Sequence, residues 1–209
     1  MTTEQNGLSL AGRDQWVVGI LLAVLLAATR GHHVPVLGQL PSASWAVFFL
    51  AGVYIRPTWV FAALMTLAAV VDIGPHVAAG AGLGAVLTGQ VAACVTPAYF
   101  TLIPAYGALW GAGRWYAGRH AFAVSSLWQL AIALGAGAVG CELFSSGGFY
   151  FLSGRFAQPN AVEFAGRFAR YFPGSLATLA GYVGVCAGVH VALATIQRGV
   201  RRREEVVES

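Results

Sequence analysis

The chain has 209 residues, 57% of them hydrophobic and 10% charged, with a formal net charge of +4 that rests on arginine alone, since no lysine occurs. Soluble domains carry roughly 25% charged residues. This composition, with a mean hydropathy of +0.69, therefore excludes an ordinary soluble globule and indicates one integral membrane domain over residues 1–209. Nucleic acid is excluded as a partner as well, because the arginines stand singly at the ends of apolar runs or in a short tail after the last run.

In chain order, a polar stretch to residue 15 leads into an apolar run at 15–29. That run has the length of a signal-peptide core. It is followed by Arg30-Gly-His-His without a small-residue cleavage site, and by five more apolar runs, so it is expected to remain as a first helix. The second and third helices are expected at 43–55 and 58–73. Residues 74–96 are rich in Gly and Ala and poor in large apolar side chains; loop, re-entrant segment and weak helix stay open there. Pro97 suits the first turn of a fourth helix at 98–116. The fifth is expected at 122–144 and the sixth at 174–197, followed at once by Arg198, Arg201, Arg202 and Arg203. Several runs fall short of the ~20 residues that cross a bilayer unaided, which is tolerable where a helix is buried in protein or the bilayer adapts. The expected fold is an all-α bundle of six transmembrane helices.

Six spans put both termini on one side, and the arginine tail assigns that side to the cytoplasm. Arg13, Arg56, Arg114, Arg119 and the four tail arginines then lie inside, eight in all, against Arg30, Arg155, Arg167 and Arg170 outside, four. Trp45, Trp59, Trp110 and Trp115 fall near helix ends, where indoles favour the interface.

The last outside segment, 145–172, carries many Phe and Tyr, paired glycines and three arginines. Phe164, Phe168 and Tyr171 fall on one face at helical spacing, as in an interfacial element. The same composition also suits a lid over a partly aromatic ligand, with Phe149, Tyr150, Arg155 and Arg167 at hand.

The residues able to do chemistry gather on that outer side. Cys94, just before the fourth helix, has its thiolate favoured by the helix dipole, as a soft metal ligand or nucleophile; the alternative is an inert buried thiol. His33 opens the first outer loop beside His32. Asp72 ends the third helix, near His76, where a carboxylate opposes the dipole and needs a donor, an arginine or another helix start. Glu142, beside Cys141, is an acid at membrane depth, and a pairing with Arg155 across a Gly147–Gly148 turn is expected. Cys186 and His190 share a helical face at i, i+4 spacing, which suits packing better than an incomplete metal site. Gly111 and Gly113 point to close helix packing, as do Ala23 and Ala27 in the first helix. The three cysteines form no CxxC, and no hydrolase, zincin or Walker motif occurs.

Three stretches, RGHHVPVLGQLPSASWAVFFLAGVYIR, CVTPAYFTLIPAYGALWGAGRWY and CELFSSGGFYFLSGRF, resemble the BtuM family of bacterial cobalamin transporters, which is related to the substrate-binding components of energy-coupling-factor transporters. The resemblance implies an inner-membrane protein that binds cobalamin in a periplasm-facing pocket, with Cys94 ligating the cobalt. It implies pocket-lining roles for His33, Asp72, Tyr99 and Arg167, cobalamin as transported ligand with no other cofactor, and an energy-coupling ATPase module as a possible partner. Thiolate ligation would also loosen a tight upper ligand such as cyanide, which would make the carrier a reaction site. The rival reading from the residues is a membrane thiol–disulfide oxidoreductase pairing Cys94 with Cys141 or Cys186.

Overall fold

The computed structural model describes residues 12–30, 41–80, 82, 84, 97–121, 123 and 125–207, with side chains as far as 196. Among the described residues there are six α-helices: α1 (Gly12–Arg30), α2 (Ser44–Tyr54), α3 (Trp59–Ala78), α4 (Leu102–Ala117), α5 (Ser125–Leu152) and α6 (Ala161–Val207). A 3-10 turn, Pro97–Thr101, leads into α4. Four helices, α1, α3, α5 and α6, are long and apolar enough to cross a membrane.

The helices alternate in direction, and contacts at the two ends show it. At one end Arg30, closing α1, bonds Ser44 at the start of α2, Asp72 late in α3 and Tyr106 early in α4. At the other end the Arg56 N–H, just past α2, donates to Gln15 Oε1 of α1, the Trp16 and Trp59 rings lie 5.6 Å apart, and Arg114 donates to the Arg56 carbonyl. The starts of α6 and the end of α5 join the Arg30 end, where Tyr150, Phe164 and Arg167 share a cavity with Ser44. His190, far along α6, returns to the Arg56 end against the Tyr54 ring.

The short α2 is the hub. Its 11 residues rise only about 16 Å, too little to cross a bilayer core of about 30 Å. Its surface is apolar all round, which suits a helix enclosed by protein. Residues 46–51 are almost wholly buried, and α2 touches all five other helices. Phe48 stacks on Tyr106 at 4.3 Å and meets Phe61 edge-on, tying α2 to α4 and α3. Against α4 the backbones nearly touch: a Cβ at Gly52 would overlap the Trp110 carbonyl, and one at Gly113 the Phe49 carbonyl. Of the two glycines singled out in α4, Gly113 therefore serves packing, whereas a Cβ at Gly111 would meet open space. The outward faces of α1, α3, α5 and α6 expose Trp16, Ile20, Val70, Leu127, Val185 and other large apolar groups, as membrane-facing helices do.

Two boundaries differ from the sequence reading. Helix α3 runs to Ala78, through Pro75, so Asp72 lies within it rather than at its end. The region 145–172 is not a loop between helices. Helix α5 continues to Leu152, and α6 starts at Ala161, far ahead of 174, leaving 153–160 as the connection. No turn forms at Gly147–Gly148; both are helical, and the bare Cα of Gly148 receives the Thr101 side chain. Gly154, at φ 71°, takes the left-handed conformation that turns the chain off α5. Asn160 restarts it, its Oδ1 accepting the Glu163 N–H at 2.8 Å, an N-cap with an acid in the first turn. Phe164, Phe168 and Phe172 then form a one-turn ladder, the latter two stacked at 4.7 Å, and the helix continues through Pro173.

The α2–α4 crossing is expected to tolerate no added methyl groups. Gly113→Ala should destabilise by about 1–3 kcal/mol through overpacking, read as a lower melting temperature in detergent, while Gly111→Ala should leave it unchanged or raise it.

Candidate ligand-binding site

Asp72 has the partner that its position demands, and it is Arg30. The guanidinium forks onto the carboxylate, Nε to Oδ1 and Nη2 to Oδ2, both at 2.7 Å. Its remaining nitrogen, Nη1, donates to Ser44 Oγ at 3.0 Å and Tyr106 Oη at 2.7 Å. Tyr99, on the 3-10 turn, donates from its hydroxyl to Asp72 Oδ2 at 2.8 Å. One cation thus joins α1, α2, α3, α4 and the turn ahead of α4. The side chains keep only 13% and 20% exposure, and bidentate geometry with further hydrogen bonds is what a poorly solvated ion pair requires. Burial, and then the adjacent Asp72 carboxylate, push the Tyr99 phenol above its ordinary range, so it stays a donor through neutral pH.

Ser44 and Tyr106 of this node also line a cavity of about 710 Å³ between the start of α2, α4, the second half of α5 and the first half of α6. Its walls are rich in aromatic side chains, among them Trp45, Phe149, Tyr150, Phe156, Phe164 and Phe168. Polar groups interrupt them, chiefly Glu142, Ser145, Ser146, Arg167 and Tyr182. Large, largely apolar cavities with a few placed polar groups are the usual form of small-molecule sites.

Arg167 is held in place at the rim. Its Nε and Nη2 both donate to Glu163 Oε1 at 3.1 Å, and its guanidinium lies 4.7 Å from the Phe156 ring centre and 5.5 Å from that of Tyr150. The Tyr150 hydroxyl donates to Glu163 Oε2 at 3.0 Å and accepts the Asn160 N–H at 3.2 Å. Glu163, in the first turn of α6, therefore orients both Tyr150 of the aromatic wall and the cation beside it. Tyr182 donates to the Pro41 carbonyl at 2.8 Å, closing α6 onto the chain before α2.

Of the residues singled out from sequence, Phe149, Tyr150 and Arg167 share this cavity, and Asp72 and Tyr99 reach it through Arg30, Ser44 and Tyr106. Arg155 does not line it; its guanidinium lies 6.0 Å from the Phe149 ring centre. Nor does Arg155 pair with Glu142, whose Oε1 accepts the Ser146 hydroxyl at 2.6 Å, one turn on. His33 and Cys94 lie outside the described residues. Cys141 is fully buried in the core, and both Cys141 and Cys186 are free thiols. Cys186 and His190 belong to the opposite end of the bundle, where His190 and His120 line a second cavity of about 330 Å³. No group of three or more His, Cys, Asp or Glu among the described residues could hold a metal ion.

Sequence reasoning missed Arg30, Tyr106, Ser44 and Glu163. The signal for Glu163 was present in Asn160-Ala-Val-Glu, a capping pattern. Arg30 was read only for its side of the membrane, although an unpaired acid on the same side asked for a cation. Compared with known proteins, the chain matches no protein-family model and no curated relative.

Breaking the node should cost stability rather than only ligand affinity. Asp72→Asn is expected to lower it by up to about 3 kcal/mol, and Tyr99→Phe by about 1 kcal/mol, by thermal melts in detergent. Because the Tyr99 pKa is raised on folding, its contribution is complete below the ordinary phenol value of about 10 and declines as the pH rises from there towards the raised folded value. Tyr99→Phe should accordingly reduce the extra loss of stability seen when the pH is raised past that value.

Proposed function

We propose that the chain is a membrane-embedded binding and uptake protein for cobalamin. The observation that carries the reading is the aromatic cavity of about 710 Å³ bearing one acid and one guanidinium. Flat apolar corrin faces suit aromatic walls, and the amides around the ring suit a few placed hydrogen-bonding groups. The three sequence stretches that resemble the BtuM family support the same ligand. All three contribute to the cavity walls, through Ser44, Tyr106, and Glu142 with Tyr150.

In this reading the six-helix bundle is embedded in an inner membrane, with the short α2 enclosed by its neighbours, in the manner of the substrate-binding components of energy-coupling-factor transporters. The arginine tail lies in the cytoplasm and the cavity faces the periplasm, an orientation supported by the eight-to-four distribution of arginine. Cys94 ligates the cobalt of the cargo. In sequence it precedes Tyr99 by five residues, and Tyr99 donates to Asp72 of the ion-pair node. Thiolate replaces the upper ligand, cyanide leaving as the anion with its electron pair. Passage inward then requires rearrangement of the bundle, alone or against an energy-coupling ATPase module. Thiol exchange is less well supported, since Cys141 is sealed in the core and Cys186 lies at the other end.

Absorbance spectroscopy of the purified protein with cyanocobalamin tests this. The bound corrinoid should show a shifted spectrum in the wild type that is lost or altered in Cys94→Ala. A folded protein that binds no corrinoid would overturn the proposal; binding with an unchanged spectrum would remove the cobalt–thiolate bond and the loss of cyanide from it.

A further inference from the structure

Among the described residues, Glu142 is a buried acid without an ion-pair partner. Asp72 is met by Arg30 and Glu163 by Arg167. Glu142 is 4% exposed, within a helix long and apolar enough to cross a membrane, and among the described residues no cation pairs with it. The Ser146 hydroxyl satisfies Oε1, and no hydrogen bond from the described residues reaches Oε2. A carboxylate in so apolar a setting is costly unless something donates to it. Because Glu142 lines the cavity, that donor can belong to the ligand.

The chemistry of the opposing group narrows the choice. Arg167 lines the same cavity, and after Nε and Nη2 bind Glu163 its Nη1 is left to donate. A cationic ligand, all donors, would meet Glu142 and leave the spare Arg167 donor without an acceptor; an anionic one, all acceptors, the reverse. A neutral ligand with several primary amides satisfies both, an N–H donating to the acid and a C=O accepting from the guanidinium.

We infer that Glu142 is a specificity-determining residue whose carboxylate accepts an amide N–H of a neutral, amide-bearing ligand and turns away ligands with a carboxylate at that place. This rests on the cobalamin reading above and adds to it a rule for which corrinoids are accepted. The basis is that a site built around a hydrogen bond discriminates strongly against analogues that cannot make it, because its own buried group is left unmet.

The test is equilibrium binding of cyanocobalamin and of its isomeric mono-acids, in which one side-chain amide is hydrolysed to a carboxylic acid. Wild type should bind at least one mono-acid about 10- to 100-fold more weakly than cyanocobalamin at neutral pH, the range for hydrogen bonds to charged groups. Glu142→Gln keeps the shape, can still accept from Ser146, and offers an N–H to a carboxylate, so the gap should shrink sharply. Equal binding of every mono-acid and cyanocobalamin by wild type would overturn the inference on the unaltered protein alone and leave the cobalamin reading standing. An undiminished gap in a Glu142→Gln protein that elutes as a single folded species would overturn it as well. Wild type that binds no corrinoid would instead overturn the functional reading, and this assignment with it.

Discussion

One ion pair organises the end of the bundle that holds the cavity. Arg30 and Asp72 are far apart in sequence, and each alone would be a poorly solvated charge at the end of an apolar run. Their bidentate contact removes that cost only because the remaining donors of Arg30 and the second lone pairs of Asp72 are also engaged, by Ser44, Tyr106 and Tyr99. The geometry leaves little freedom in how α1, α2, α3 and α4 meet. Below the node the fit passes from charge to shape, with Phe48 against Tyr106 and the α2 and α4 backbones in contact at Gly52 and Gly113. Electrostatic specificity at one end and steric specificity further along thus set a single arrangement for α2.

The two sides of the cavity are built differently. The side formed by α2 and α4 belongs to this tightly connected core. The α5–α6 corner is held by a smaller set of contacts that centre on Glu163: its backbone N–H on Asn160, one oxygen on Arg167, the other on Tyr150. Arg167 and Glu163 remain about half exposed, so that pair contributes less than the Arg30–Asp72 pair. Polar anchoring is therefore strong on the core side of the ligand space and weak on the corner side, and the aromatic ladder of α6 supplies most of the cohesion there.

What could be read from the sequence follows from which forces are local. The apolar runs located all six helices, because the pattern of burial against lipid or protein is written residue by residue. Asp72 announced a missing partner through its unfavourable position, yet the sequence could not say that the partner was Arg30 rather than a ligand, since the answer depends on how α1 and α3 meet. The corner at 145–172 misled for a physical reason. Gly147, Gly148 and Pro173 read as breaks by propensity, but Thr101 packs against the bare Gly148, and α6 is continued by its packing on α5 and by the Phe164–Phe172 ladder. Tertiary contact overrode local preference at each of these places. Glu142 was visible as an acid at membrane depth; its partner was misassigned because an expected turn was instead helix.

Helix α6 has 47 residues and no interruption, which makes it about 70 Å long, more than twice the hydrocarbon thickness of a bilayer. Its first turns carry one wall of the cavity, and its far end carries the cluster of arginines. A single helix therefore runs from the cavity, through Pro173, to the opposite end of the bundle. A small change of tilt at one end becomes a lateral displacement at the other, several times larger than the movement near the pivot. The two ends of α6 are thus coupled by leverage, without a relay of side chains between them.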